Sequence, residues 1–377
     1  TGGRCPTHYR ADGYCMQWIE DSRGLERVCA TFDDEIGLDT EFIRTDTFYP
    51  VPGLYQIATA ETFFLLDPLT IDNWQPFIEY LADPKHTLVM HACQEDLELL
   101  FHHLGTRPAN VFDTQVAQAF VSVDYSLSYA NLVAQRLGVV LEKQATRSNW
   151  LQRPLTERQL AYAVDDVRYL LALARQLNDD LRDTQRLAWF RQEMRERGHY
   201  VEGDPALYYK SVKKAWSLMP GELAVLQHLC AWREAVARSE DVPRGRVIKD
   251  AHLFEFAKLP DLTAATLQTM LPPSATRRYG DALLTHHREG LLRPQMSRLD
   301  PPLSAVENAR VKALRSVASS LADDLGLAPE LLARKRDVEA CVRHYAKTAE
   351  LTPLYDGWRG QLLGDQFKEQ FTQNGAA

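Results

Sequence analysis

The sequence lacks the marks of several protein classes. No run reaches the roughly 18 consecutive apolar residues of a membrane helix, so no membrane span is expected. The six cysteines (Cys5, Cys15, Cys29, Cys93, Cys230 and Cys341) are scattered, without a CxxC pair or a zinc-ligand spacing. In a chain of 377 residues they read as reduced thiols of a cytoplasmic protein rather than as a disulfide framework. No GxxxxGK[ST] phosphate loop is present, which excludes a helicase motor of that type. The first fifteen residues are polar and carry no apolar segment of the secretory kind. Met16 offers a natural start, so residues 1–15 are expected to be a tag or an N-terminal extension outside the fold.

What is present suits a soluble globular protein. Hydrophobic residues make up 45% and charged residues 25%, and the length suggests two or three domains. The formal net charge of −8 is unevenly spread. Between Lys210 and Gly290, twelve Lys and Arg face nine Asp and Glu, leaving that stretch basic and the remainder strongly acidic. A basic module beside an acidic one is compatible with nucleic acid, although a surplus this small is not by itself diagnostic.

Residues 16–205 alternate between strand-like and helix-like patterns. Ile36–Arg44 is β-prone, Leu54–Thr59 and Thr62–Asp67 follow at hairpin spacing, and Thr87–His91 reads as a buried strand. Asp96–Leu104 and Gln115–Val121 have helical periodicity, and Val111–Thr114 ends a short strand. Leu155–Leu177 reads as one helix opened by a capping box at Thr156 and Gln159. From Lys210 onward strand signals nearly vanish; helices are expected over Glu222–Glu240, Ser304–Asp323 and Pro329–Ala346, with prolines punctuating shorter ones. The expected architecture is an α/β domain over residues 16–205, a mixed sheet flanked by helices, followed by two small all-α domains over 210–293 and 298–372.

Three separated motifs carry the chemistry. Asp39 and Glu41 lie two apart on a strand, so their side chains leave one face, where two acids repel. Asp96 falls in the first turn of a helix. Tyr162 and Asp166 stand at i and i+4 on one helix face, whereas Asp165 points about 100° away. Each has an ordinary explanation alone: a solvated edge strand, an acid complementing a helix dipole, an exposed acid beside an aromatic. Together, four acids aimed at one point need a cation to offset their repulsion.

Leu38-Asp39-Thr40-Glu41-Phe42, His91 to Leu97 and Arg153 to Asp166 resemble the three exonuclease motifs of the DEDD superfamily, tyrosine subgroup, and are most similar to those of the ribonuclease D family. The resemblance follows the domain order over roughly residues 16–370. Cys93 and Gln94, where small residues are usual, and the aromatic Tyr55 depart from the pattern. The stretch from Trp232 to Asp250 resembles the helicase-and-RNase-D C-terminal (HRDC) module, and the last segment resembles a second copy.

The resemblance implies a ribonuclease H-like exonuclease fold and a 3′-5′ exoribonuclease that releases 5′-mononucleotides by two-metal catalysis. It implies that Asp39, Glu41, Asp96 and Asp166 hold two divalent cations, Mg2+ or Mn2+, at the separation of about 3.5–4 Å usual for such sites. Asp39 would bridge them, Asp96 would act largely through water, and Tyr162 would aim the attacking water. The partner expected is RNA with a single-stranded 3′ end, such as tRNA precursors, bound by a monomer. A DNA exonuclease of the same fold and a non-catalytic RNA scaffold are the alternatives. Candidate RNA contacts are Phe42, Arg44, Tyr49, Lys143, Arg147 and Arg153 near the motifs, and Lys213, Lys214, Arg244, Arg246, Lys249, Arg277 and Arg278 beyond them. Packing is the competing role for Phe42, and His91 and Trp150 are read as packing residues.

Overall fold

Alternating apolar patterns become strands in a computed structural model that describes residues 9–11, 14–141 and 148–373. Seven strands form one mixed sheet among these residues: β1 (Tyr9–Ala11), β2 (Tyr14–Ile19), β3 (Glu35–Ile43), β4 (Val51–Ala58), β5 (Phe63–Leu66), β6 (Thr87–Met90) and β7 (Val111–Asp113). Their order is β1-β2-β5-β4-β3-β6-β7. β4 and β5 pair antiparallel as the expected hairpin, while β3, β6 and β7 run parallel. β3 is therefore central, flanked on both sides.

Helices cover both faces: α1 (Ser22–Cys29), α2 (Gln75–Ala82), α3 (Gln94–Leu104), α4 (Thr114–Val121), α5 (Tyr129–Leu137), α6 (Glu157–Arg168), α7 (Leu170–Asp183) and α8 (Leu187–Arg197). The period-2 alternation of the strands sorts their side chains between two cores. Ile36, Leu38, Tyr55 and Ile57 join Leu97 and Leu100 of α3. Leu54, Ala58 and Leu65 join Leu160, Ala163 and Val167 of α6 on the other face. Gly37 shows how close the second layer lies: a Cβ there would sit 3.1 Å from Cβ of Leu170.

Several sequence expectations need correction. Part of the segment set aside as an extension is structured, because β1 pairs with β2 and β2 runs parallel to β5. The single helix expected over Leu155–Leu177 breaks at Tyr169 (φ −107°, ψ −1°), whose amide donates to the Tyr129 hydroxyl at 3.1 Å. The helix expected over Pro329–Ala346 is likewise divided, into Pro329–Leu332 and Lys335–Thr348.

The chain clusters into two units rather than three. One combines the chain up to Ile43, Pro52–Tyr200 and the chain from Leu303 on; the other combines Arg44–Val51 with Val201–Pro302. The second unit holds α9 (Pro220–Ser239), α10 (Arg244–Val247), α11 (Asp250–Ala257), α12 (Ala264–Met270) and α13 (Pro273–Leu291). Its core includes Phe48 from the β3–β4 connection, and the Phe48 and Tyr49 amides both donate to Asp241. The last helices are α14 (Ala305–Leu325), α15 (Pro329–Leu332), α16 (Lys335–Thr348) and α17 (Trp358–Gln373). They share the first unit because Trp358 stacks on Trp189 and Arg359 makes a buried bidentate pair with Glu193, at 2.6 and 2.9 Å. No helix among the described residues is long and apolar enough to cross a membrane.

Candidate active site

Two of the three motifs, Asp39 with Glu41 and Tyr162 with Asp166, converge on the α6 side of the sheet. Asp39 and Glu41 share the face of β3 that carries Gly37, because strand side chains alternate. α6 crosses that face, started by the capping box in which the Thr156 hydroxyl accepts from the Gln159 amide and Gln159 reaches back. Its four-residue repeat turns Tyr162 and Asp166 toward β3. Ligand oxygens of Asp39, Glu41 and Asp166 all lie within 4.8 Å of one another. Asp165 instead faces Arg168 at 3.6 Å.

Asp96 stands beside this trio, held from elsewhere. It occupies the first turn of α3 and accepts a 2.5 Å hydrogen bond from the Thr40 hydroxyl, which points to the opposite face of β3 from Asp39 and Glu41. The start of α3 is set by Asp113, a buried carboxylate that accepts from the amides of Ala92, Cys93, Gln115 and Val116. This clamp ties the turn after β6 to the start of α4 and forces Ala92 to φ 56°. Thr40 and Asp113 were not singled out from the sequence. The strand-to-helix switch at Val111–Thr114 was the available signal for Asp113; Thr40 had none beyond lying between two acids.

Crowding shapes the electrostatics. Burial, then the charges of Asp96, Asp166 and Glu41, push the Asp39 carboxyl well above the usual carboxylate range. Burial with Asp166 and Asp96 raises Glu41 to about 8. Asp96 and Asp166 are each raised to about 7, chiefly by burial. Tyr162 donates to Asp166, and burial with the surrounding carboxylates raises its phenol far above its ordinary value. Oδ2 of Asp166 is buried without a hydrogen-bond partner. An all-oxygen donor set, an orphaned carboxylate oxygen and acids that resist ionising together fit a hard divalent cation of the Mg2+ or Mn2+ type. A cleft of about 270 Å3 opens beside Tyr162, lined by Asn149, Gln152, Arg158 and Gln159.

The expected RNA contacts fare unevenly. Arg153 is an internal clamp: its guanidinium donates to both oxygens of Asp67 and to the carbonyls of Gly53, Trp150 and Gln152. Arg244 is committed to Glu234 and lies over the rings of Phe48 and Tyr208. Arg246 pairs with Asp46, Arg278 with Glu240, and Arg44 donates to the Phe48 carbonyl. Phe42 packs against the α3-side core and Tyr49 against Phe48. Lys213, Lys214, Lys249 and Arg277 are exposed. Lys143 and Arg147 lie outside the described residues. His91 is held by the Thr114 hydroxyl and the Leu127 carbonyl, and Trp150 is buried, so both serve packing. Sequence reasoning missed a cleft of about 540 Å3 in the first unit lined by Arg175, Arg182, Arg191, Arg195 and His199.

Comparisons with known proteins agree with this geometry. A family model described as 3′-5′ exonuclease matches residues 16–182, and one for the HRDC domain matches residues 222–285. The chain is 38% identical over 360 residues to a ribonuclease D of Pseudomonas paraeruginosa, covering 93% of this chain and 96% of that one. It is 33% identical over 345 residues to the ribonuclease D of Escherichia coli, covering 88% and 91%. The crystal structure of Escherichia coli RNase D, described as an exoribonuclease involved in structured RNA processing, matches with a TM-score of 0.86 at 32% identity, over 95% of this chain and 99% of that one. The catalytic core of RRP6 from Trypanosoma brucei shares the fold at 23% identity, with a TM-score of 0.59 over 76% and 83%. Similarity that spans nearly the whole chain, together with the converging acids, shows that the chain belongs to the ribonuclease D family of 3′-5′ exoribonucleases.

Proposed function

We propose that this exoribonuclease works by two-metal hydrolysis, trimming tRNA precursors and other small structured RNAs from single-stranded 3′ ends and releasing 5′-mononucleotides. The observation that carries the reading is the convergence of Asp39, Glu41 and Asp166 within 4.8 Å. These three would hold one cation, with Asp39 and Asp96 supporting a second. Bound divalent cations supply an activated water and charge stabilisation for the leaving oxygen. The chain's own residues orient the rest. Thr40 holds one oxygen of Asp96. Tyr162, kept protonated by burial and by the acids around it, donates to Asp166 and positions the attacking water rather than removing its proton. The cleft beside Tyr162 suits the terminal nucleotide.

For the RNA body we assign phosphate contacts to Lys213, Lys214, Lys249 and Arg277, and to the arginine-lined cleft of the first unit. The helices from Leu303 on are read as a second HRDC-like module, and the chain as a monomer. The free thiols Cys29, Cys93, Cys230 and Cys341 support action in the cytoplasm. The test compares a 3′-tailed RNA hairpin with its DNA equivalent, with and without Mg2+ or Mn2+. Cation-dependent release of 5′-mononucleotides from the RNA is expected. Release from DNA alone, or no release from either, overturns the proposal.

A further inference from the structure

A second cluster of ligand-bearing side chains lies in the unit built from α9 to α13. His228 projects from α9, and His286 and Glu289 project from α13 three residues apart. The two helices approach closely at Gly290, where a Cβ would sit 3.0 Å from Cα of Val225. That contact brings the three side chains together one turn away. Nε2 of His228 lies 2.9 Å from Oε2 of Glu289. Nδ1 of His286 lies 3.1 Å from the same oxygen and 3.2 Å from Nε2 of His228. The Trp232 ring flanks His286 with centroids 5.6 Å apart. The histidine side chains are 15% and 29% exposed, and Glu289 is 51% exposed, so the cluster opens to solvent on one side.

Protons alone cannot satisfy this triangle. A carboxylate oxygen only accepts, and each ring nitrogen presents either an N–H or a lone pair. If both nitrogens carry hydrogen, both donate to Glu289, but two donors then face each other across 3.2 Å. If one nitrogen is bare, it accepts from the other, yet its lone pair faces the carboxylate oxygen at about 3 Å. If both are bare, all three contacts repel. A cation at the centre converts all three lone pairs into bonds. For ligand bonds near 2.1 Å, neighbouring ligands stand about 3.0 Å apart at right angles and about 3.4 Å apart at the tetrahedral angle. The observed edges of 2.9, 3.1 and 3.2 Å lie close to the first value and below the second.

We propose that His228, His286 and Glu289 form a cation site, separate from the catalytic acids, that takes a divalent first-row transition ion such as Zn2+ and pins α9 to α13. Two imidazoles and one carboxylate favour such an ion over Mg2+. The open side leaves a coordination position for water or an outside donor.

The test uses the full chain carrying Asp39→Asn and Asp166→Asn, so that the carboxylate cluster does not compete for the probe. Co2+ is titrated and followed by its visible absorption. One Co2+ per chain is expected, with the bands of a nitrogen-containing site, displaced by Zn2+ and not by Mg2+. His286→Ala and Glu289→Gln should each weaken Co2+ binding at least tenfold. Glu289 is half exposed, so Glu289→Gln keeps the fold and carries the test if the histidine variant does not fold. No bands above those of free Co2+, or equal affinity in the parent and Glu289→Gln, overturns the proposal.

Discussion

Replacing Arg153 by lysine separates two roles that this side chain could play, phosphate contact and internal clamp. The guanidinium makes five hydrogen bonds, spread over Asp67 and the carbonyls of Gly53, Trp150 and Gln152. A lysine ammonium has three donors and no planar fork, so at least two acceptors lose their partner. Asp67 is 3% exposed at its side chain and cannot turn to water. Hydrogen bonds to charged groups contribute about 1.5–3 kcal/mol each. Because Arg153 is itself 22% exposed, some of the loss is recovered by solvent, and a destabilisation of about 3 kcal/mol is expected. At roughly 2 °C per kcal/mol for a unit of this size, the melting temperature should fall by about 6 °C. Calorimetry reads that change. RNA affinity, measured below the transition over a range of salt, should change less than twofold with an unaltered salt slope. A phosphate contact gives the opposite pattern: unchanged melting, and RNA affinity lowered severalfold because the planar fork is lost, with a salt slope that stays the same because lysine keeps the charge. That outcome would refute the clamp.

The remaining predictions concern the acids and their supports. Tyr162→Phe should lower kcat sharply while metal affinity, read by titration calorimetry, stays nearly constant; unaltered turnover means that the phenol only packs. Asp39→Asn should abolish hydrolysis and weaken metal binding at least tenfold. The same variant should raise metal-free stability at neutral pH by about 1–2 kcal/mol, since an amide is buried without the proton uptake that the raised Asp39 carboxyl requires. For the metal-free protein, the raised carboxyls hold protons that the unfolded chain has released. Stability should therefore fall as pH rises from about 4, the ordinary carboxylate value, through the raised values of about 7 to 8. Denaturant melts with saturating Mn2+ should flatten that decline; a metal-free profile that is flat or rising over the window contradicts the assignment. Ala92→Gly should stabilise by about 0.5–1 kcal/mol in the same melts, because Ala92 occupies a left-handed conformation at φ 56° that costs an alanine about that much.

The faces that carry Asp39, Glu41 and Asp166 were legible because each motif is local. An i,i+2 pair on a strand and an i,i+4 pair on a helix have faces that follow from backbone geometry alone, and Asp166 separates from Asp165 by that rule. What escaped depends on partners far along the chain. The break at Tyr169 interrupts an apolar stripe that runs through it unchanged, and its cause is Tyr129, 40 residues earlier. Arg153 and Arg244 read as candidate RNA contacts because nothing local announces that Asp67 and Glu234 occupy them. Thr40 lies on the far face of β3 from the two acids, and that position is what lets it hold Asp96, 56 residues on. Nor does any local pattern announce that Trp358 and Arg359 pack on Glu193.

The pairing of Glu193 with Arg359 also sets a schedule for synthesis. The guanidinium is made 166 residues after the carboxylate it neutralises. β3, α3 and α6 leave the ribosome early, so every acid of the candidate site exists while Glu193 has only Arg197 of its own helix and Phe120 lacks Trp358. Until Trp358 and Arg359 arrive, Glu193 lacks the hydrogen bonds that both donate to it. The larger unit therefore reaches full stability only after the smaller one has been translated in its midst. A nascent chain that stops short of residue 358 carries every acid of the candidate site before Trp358 and Arg359 have packed on α8.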